Sequence, residues 1–325
     1  MNRQANHSIV GRRTSGVNEP LTVHVKAGEK KRKRTGLSKY LYLLPAALLI
    51  VGVIGYPIVR ALILSLYAYN PLSSGKTFVG LKNYVGVLSD STFLKAMSNT
   101  AIWVIGCVFF QVVFGLLGAV LLNQNFRGRG VIRGLTLIPW ATPSVLAAMM
   151  WMWILDGNYG LLNDILMRIG LIVHPIPWIS QTGTAMASLM LIDVWQGIPY
   201  FAVMLLAAMQ TIPGDLLEAA KLDGAGAWKA FWKVVFPLML PTLMITTILR
   251  IVWTASYMDL MMVVTQGGPA YSTLTIPLAS YYRAYTDLKY GEATAMAGIQ
   301  ALLLLIVVVL YLRLMSNKGA LDNGK

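Results

Sequence analysis

The sequence predicts an all-α polytopic membrane protein with six transmembrane helices. Three observations carry that reading. The chain is 56% hydrophobic and only 12% charged, against about 25% charged residues in an ordinary soluble domain. Its apolar residues gather into six runs, each long enough to cross a hydrocarbon layer of about 30 Å. Lys and Arg are plentiful in alternate connections between these runs and sparse in the others. A segment crossing lipid must satisfy its own backbone hydrogen bonds, so each run is expected to be a helix.

Residues 1–39 hold ten Lys and Arg, including Lys30-Lys31-Arg32-Lys33-Arg34. They lack an apolar period and are expected to form a disordered tail against anionic headgroups. The first span is predicted over Tyr40–Tyr67; behind so long a polar tail, it is not expected to be a cleaved leader. The connection 70–98 contains Phe78-Val79-Gly80-Leu81-Lys82-Asn83-Tyr84, then Phe93 and Met97, a spacing that predicts a short helix on the membrane surface. Spans two and three follow over Asn99–Leu122 and Val131–Leu155. Leu162, Ile165, Leu166 and Leu171 predict a second surface helix within Leu161–Ile172. Span four is Thr184–Met209, loop 212–237 comes next, and span five is Leu238–Thr265. Gly267-Gly268-Pro269 signals a turn ahead of an aromatic stretch at Tyr281, Tyr282 and Tyr285. Span six, Ala293–Met315, closes a membrane domain over 40–316, leaving 317–325 as a short tail. No internal repeat is visible.

The net charge of +14 is explained by topology rather than by nucleic acid. Sorting the connections alternately puts nineteen Lys and Arg on one side and six on the other, with Arg60 and Arg250 inside spans. The excess of positive charge marks the cytoplasmic side, and so places both termini there. Cys107 is the sole cysteine, so no disulfide framework or thiolate site is expected. His7, His24 and His174 are scattered, and no metal or cofactor is expected. There is no G-x-x-x-x-G-K-[ST] phosphate loop, no Ser/His/Asp set and no HExxH. The chain reads as a non-enzyme whose work is driven by another molecule.

Loop 212–237 is the polar interruption that asks for a role. It contains Glu218-Ala219-Ala220-Lys221-Leu222-Asp223-Gly224-Ala225. Pro213-Gly214 ends span four, and Asp215 with Glu218 three residues on predicts a capping box. Gly224 is suited to the left-handed conformation that ends a helix. A second helix is expected over Ala227 to Val235, with Pro237 at the start of span five. Ala219, Ala220, Gly224 and Ala225 would leave a shallow surface. From the residues alone, this is either an interfacial connector or a face on which another protein docks.

The Glu-Ala-Ala triplet, Gly224 after three intervening residues, and Val234-x-Phe236 before Pro237 resemble the EAA loop of binding-protein-dependent ABC importer permeases. Val234 stands where Ile is usual and Phe236 where Leu is usual. Further matches extend the resemblance over about residues 40–315. They are Gly80-Leu81-Lys82-Asn83-Tyr84, Asn99-Thr100, Arg133 with Leu137-Ile138-Pro139-Trp140, Trp195 with Pro199, Ile212-Pro213, Asp259, and Thr265 with Gly267-Gly268-Pro269. The chain is similar to carbohydrate-type permeases represented by the larger membrane subunit of the maltose transporter. Only a short segment follows the last span, as expected of that type, and the basic tail stands where the type carries extra N-terminal spans.

The resemblance implies a second permease subunit, two cytoplasmic ATPase subunits gripping the loop, and an external binding protein that delivers an oligosaccharide. Under it Glu218, Ala219, Ala220, Asp223, Gly224 and Ala225 form the ATPase-coupling set, with Asp223 bracing the turn rather than touching the partner. The sugar site falls on Asp193, Gln196, Gly197 and Tyr200 of span four and on Arg250, Trp253 and Thr254 of span five. Such a mixture suits sugar, since aromatic faces stack on C–H surfaces while amides and hydroxyls bond its hydroxyls.

Arg250 is a departure, because an unpaired charge near mid-span costs about 3 kcal/mol on insertion scales. Either Asp193 or Asp259 neutralises it, or it binds an anionic substrate such as an alginate-like uronate oligomer. Glycerol phosphate and a neutral disaccharide are alternatives. A secondary transporter would instead need its own coupling-ion site and inverted repeats, and neither is visible.

Overall fold

The computed structural model describes residues 37–72 and 75–322; most of the predicted basic tail lies outside them. The elements begin with α1 (Leu37–Leu49), the π-helical turn π1 (Ile50–Gly55) and α2 (Tyr56–Leu64). A hairpin of β1 (Tyr67–Tyr69) and β2 (Lys76–Phe78) leads to α3 (Lys82–Ser89) and α4 (Ser91–Asn123). Next come α5 (Arg129–Thr136), α6 (Ile138–Ala141), α7 (Ser144–Ile154) and α8 (Leu161–Arg168). After α9 (Ala185–Gln210), α10 (Gly214–Leu222) and α11 (Ala227–Ala230), a second π-helical turn, π2 (Phe231–Val235), enters α12 (Phe236–Ala255). The chain finishes with α13 (Asp259–Val264), α14 (Ile276–Tyr285) and α15 (Tyr290–Asp322).

Among the described residues, five helices are long and apolar enough to cross a membrane: Leu44–Leu64, Ser91–Asn123, Ala185–Gln210, Ala227–Val264 and Tyr290–Met315. A sixth span results if Arg129–Ala141 and Ser144–Ile154, bent by 94°, are taken together. The sequence predicts this third span as one continuous run, and the bend has a local cause. Pro143 has no N–H to donate and disfavours helical backbone at the residue before it. Thr142 is accordingly extended, at φ −74° and ψ 125°.

Two other differences are small. The three-residue strands β1 and β2 pair antiparallel, with Tyr67 opposite Phe78, and were not expected. Helix α15 continues to Asp322, past the predicted end of span six. Short helices occur in both predicted places, as α3 and α8, although Phe93 and Met97 belong to α4.

The chain divides between Ile54 and Gly55 into two units. In the first, α1 carries Pro45 within the helix, and its described side chains are exposed. The second contains the core. Its most extensive helix contact is between α4 and α9, and small residues set that distance. A Cβ on Gly115 would lie 2.3 Å from the Phe201 Cβ, and one on Gly118 3.3 Å from the Ala202 Cβ. In lipid, apolar surface gains little by burial against another helix, so close packing of this kind must supply the attraction. One apolar cluster brings Trp103 and Cys107 together with Leu189, Ile192 and Leu260. A second gathers Phe201, Leu205 and Met239.

Several residues of the recognised motifs fasten the connections. Asn83 Nδ2 donates to the carbonyls of Ser65 at 2.7 Å and Tyr67 at 2.9 Å. Asn99 Nδ2 donates to those of Tyr271 and Leu274 at 2.8 and 2.9 Å. Thr100 Oγ1 accepts from the Ile276 amide at 2.9 Å. Arg283 on α14 pairs with Asp90, Asp287 and Glu292, tying the start of α4 to α14 and α15.

Partial burial alone would raise the Asp90 pKa. The Thr92 amide and the Arg283 guanidinium outweigh it and hold the carboxyl below its ordinary value. A depressed carboxyl pKa contributes stability above the unfolded value, about 3.9, and loses it as pH falls through the folded value. Thermal melts should therefore show no Asp90-dependent change between pH 7 and about 5. The gap between the protein and its Asp90→Asn variant should close only in more acid solution. A gap that closes already near neutrality would contradict this pairing.

Candidate functional site

Helix α9 turns Asp193, Gly197 and Tyr200 inward, since they recur at the i, i+4, i+7 spacing of one helix face; all three are buried. Helix α12 faces them with Arg250, Trp253 and Thr254, and α4 contributes Gln111. Arg250 Nη2 donates to Asp193 Oδ1 at 2.9 Å, and Arg250 Nε donates to Gln111 Oε1 at 2.7 Å. Gln111 Nε2 in turn donates to the Asp193 carbonyl and to Asp193 Oδ2, each at 2.8 Å.

The Arg250 and Asp193 side chains are 12% and 4% exposed. Removing either charge from water is expensive, and the cost is offset only where geometry is good and the remaining polar atoms are bonded. Gln111 provides that completion. Of the two partners expected for Arg250, Asp193 takes the role. Asp259 stands exposed at the first turn of α13 and makes no ion pair with it among the described residues.

Beside the ion pair lies a cavity of about 250 Å³, lined by Asp193, Gln196, Arg250, Trp253 and Thr254 together with Trp140, Thr142, Ser144 and Tyr257. Five of the seven predicted substrate residues therefore surround one space. The other two stand behind its wall. Tyr200 packs against Trp253, with ring centroids 5.4 Å apart, and against Trp140 at 6.5 Å. Gly197 abuts the Gln111 side chain. Gln196 Nε2 donates to the Thr142 carbonyl at 3.1 Å, which pins the bend after α6 to α9. Trp103 Nε1 donates to the Thr254 carbonyl at 3.0 Å.

Sequence reasoning missed Gln111, an amide inside span two whose position was itself a signal, since polar groups at membrane depth are rarely idle. It also missed Trp140, Thr142, Ser144 and Tyr257. These reach the cavity through the bend of the third span and the break between α12 and α13, neither of which has a periodic signature.

Loop 212–237 lies at the far end of these helices. Asp193 and Tyr200 precede the end of α9 by roughly 25 and 15 Å of helix. Glu218, Ala219, Asp223 and Gly224 are exposed, while Ala220 and Ala225 are half-buried. Gly224 takes φ +74°, as its expected role requires. Its amide donates to the Lys221 carbonyl at 3.0 Å, and the Ala225 amide donates to that of Ala220 at 2.9 Å. This double closure is a Schellman motif.

The predicted capping box does not form. Pro213 occupies the N-cap of α10 and no side-chain cap is made. Asp215 instead sits in the first turn, where its charge favours the positive helix end. The predicted second helix, Ala227 to Val235, is present as α11 continued by π2, and it runs on into α12 without a break. Cys107 is free and buried. No group of His, Cys, Asp or Glu able to hold a metal occurs among the described residues.

A bundle of apolar spans enclosing a small polar cavity, with an exposed helical loop at one end, defines a membrane permease. Residues 111–319 match the family described as binding-protein-dependent transport system inner membrane component, and the chain belongs to that family. The trehalose/maltose transport permease protein MalF of Thermococcus litoralis is 34% identical over 284 residues, covering 87% of this chain and 95% of that protein. The sulfoquinovosyl glycerol transport permease protein SmoG of Agrobacterium fabrum is 32% identical over 280 residues, covering 86% and 90%. A crystal structure of a bacterial ABC transporter involved in import of the acidic polysaccharide alginate matches at a TM-score of 0.75 and 19% identity. It covers 87% of this chain and 96% of that one, a likeness of fold. The chain is thus an ABC importer permease subunit, a transport component rather than an enzyme.

The ion pair yields a stability test. Arg250→Gln strands a carboxylate and Asp193→Asn strands a guanidinium, so each should destabilise the purified protein by about 3–5 kcal/mol. The double variant should recover most of that loss. Single variants that melt like the parent would show that the pair is not closed in the membrane.

Proposed function

We propose that this chain is the membrane-spanning permease of an ATP-driven carbohydrate importer. Its membrane domain, 40–316, sits in the inner membrane with both termini and the tails 1–39 and 317–325 in the cytoplasm. It pairs with a second permease, takes an oligosaccharide from an external binding protein, and draws its energy from two ATPase subunits that grip loop 212–237. Glu218, Ala219, Ala220, Asp223, Gly224 and Ala225 form that contact: Glu218 offers charge, the small residues allow close approach, and Gly224 fixes the turn.

The observation that carries the substrate class is the cavity lining. Trp140, Trp253 and Tyr257 offer aromatic faces, and Thr142, Ser144, Thr254 and Gln196 offer hydroxyl and amide groups. Its single cation is already paired with Asp193. An uncharged polyhydroxyl ligand meets this neutral surface without a new desolvated charge. Gly197 and Tyr200 support the site from behind.

A second reading, an acidic sugar, is favoured by Arg250 Nη1, which makes no hydrogen bond among the described residues. The sulfonated substrate named for SmoG and the alginate named for the structural neighbour agree with it. In a reconstituted transporter, Arg250→Gln with Asp193→Asn separates the readings. If Arg250 binds an anion, uptake of an acidic oligosaccharide should fall by about 1.5–3 kcal/mol of binding, roughly ten- to hundredfold, while the complex stays assembled. Wild-type uptake of that substrate by the double variant would exclude the acidic reading.

The coupling assignment has its own test. Glu218→Lys reverses the charge offered to the ATPase, and Gly224→Asp places a side chain in left-handed backbone. Both should insert normally yet lose ATPase copurification or uptake by at least tenfold. Parental values in both assays would refute docking at this loop.

A further inference from the structure

The cavity leaves one question open: what decides which face of Arg250 a ligand meets. We propose that Gln111, which does not line the cavity, is the positioning residue that orients Arg250 and so sets the charge preference of the site. This rests on the cavity being the substrate site, and the experiment below lets the two fail separately.

Gln111 is fully buried, and both ends of its amide are engaged. Its oxygen accepts from Arg250 Nε at 2.7 Å, while its nitrogen donates twice to Asp193 at 2.8 Å. Left to themselves, an arginine and a carboxylate favour a bidentate fork. Two forks are open to guanidinium: side-on through Nε and Nη2, or end-on through Nη1 and Nη2. Gln111 prevents both. It occupies Nε, and it holds Asp193 Oδ2 away from the guanidinium, leaving one contact between Nη2 and Oδ1. Nη1 is then the nitrogen left for a ligand. Without Gln111 both forks become available, and either one reorients the guanidinium, the end-on fork consuming Nη1.

Gly197 gives an independent sign that the amide is held in place. A Cβ there would lie 2.3 Å from Gln111 Cδ and Nε2. The amide, tied by three hydrogen bonds, has little freedom to retreat. Gly197 follows Asp193 by one turn of α9, so it opens the space through which Gln111 reaches Asp193. Its missing side chain serves Gln111 rather than the ligand.

The test uses the full transporter complex in nanodiscs, with maltose as the neutral probe and a dimannuronate as the acidic one. Equilibrium binding is read by tryptophan fluorescence and assembly by size exclusion. Gln111→Met should change the acidic-to-neutral affinity ratio at least tenfold. Arg250→Met should change it too, and adding Gln111→Met to Arg250→Met should change it no further, because Gln111 acts through Arg250. If Arg250→Met moves the ratio and Gln111→Met does not, the positioning role is wrong and the cavity reading stands. If neither moves it, the positioning role is wrong and the cavity takes its ligand without Arg250; if neither probe binds the parent complex, the cavity reading fails as well.

Two further comparisons guard against loss of assembly in Gln111→Met. Gln111→Glu with Asp193→Asn keeps one carboxylate and one amide and should assemble, whereas Gln111→Glu alone should not. Gly197→Ala should lower assembled complex at least tenfold in the parent, but have less than a twofold effect alongside Gln111→Ser. Equal damage from Gly197→Ala in both backgrounds would overturn the packing argument.

Discussion

A charge cannot stay alone at membrane depth, and the arrangement of α4, α9 and α12 follows from how one is accommodated. Arg250 would be costly within a span. Asp193 compensates it, and Gln111 satisfies the groups that the pair leaves over. These three side chains come from three different spans, so the hydrogen bonds also fix how the helices are rotated about their axes. Those rotations set which side chains reach the cavity. Trp253 and Thr254 on α12 and Gln196 on α9 are brought to one space because Arg250 and Asp193 must meet.

Close packing makes that meeting possible. Glycines at 115, 118 and 197 let α4 and α9 approach to a distance at which an added methyl would collide at two of the three positions. At such a separation the short Gln111 side chain can reach Asp193. Polar bonding and small-residue packing therefore reinforce each other, as helix association in lipid requires. The connections around α3, α4 and α14 are held by different chemistry. Asn83 and Asn99 tie down loop carbonyls, and Arg283 gathers three carboxylates. Loop 212–237 is fixed chiefly by its own Schellman closure at Gly224, which leaves Glu218, Ala219 and Asp223 exposed.

Much of this was legible in the sequence because lipid imposes a strong filter. Apolar length located four of the spans closely, while the helices of spans two and five begin at Ser91 and Ala227, well ahead of the predicted Asn99 and Leu238. Gly224 declared its turn through the need for left-handed backbone. Five of the seven residues that the family resemblance assigns to a sugar site, on α9 and α12, converge on one cavity. What escaped detection depends on contacts between distant segments. Span three reads as one continuous apolar run, and its 94° bend at Pro143 leaves no mark in the apolar pattern. The hairpin at Tyr67–Phe78 is too short to show alternation. Asp215 looked like a cap because its spacing to Glu218 was right, yet Pro213 took the position. Above all, Gln111 was one amide in an apolar run, and only the fold shows that it joins the two charges.

The central claim is that Asp193 is ionised within the membrane and bound by both Arg250 and Gln111. Infrared difference spectroscopy of the isotope-labelled complex in nanodiscs, comparing the parent with Asp193→Asn, reads that state directly. The account predicts that the substitution removes a carboxylate stretch at neutral pH, and that Gln111→Met shifts this band without abolishing it. Loss of a protonated carboxylic-acid carbonyl stretch instead would mean that Asp193 is neutral, leaving Arg250 without its counter-charge and contradicting the account.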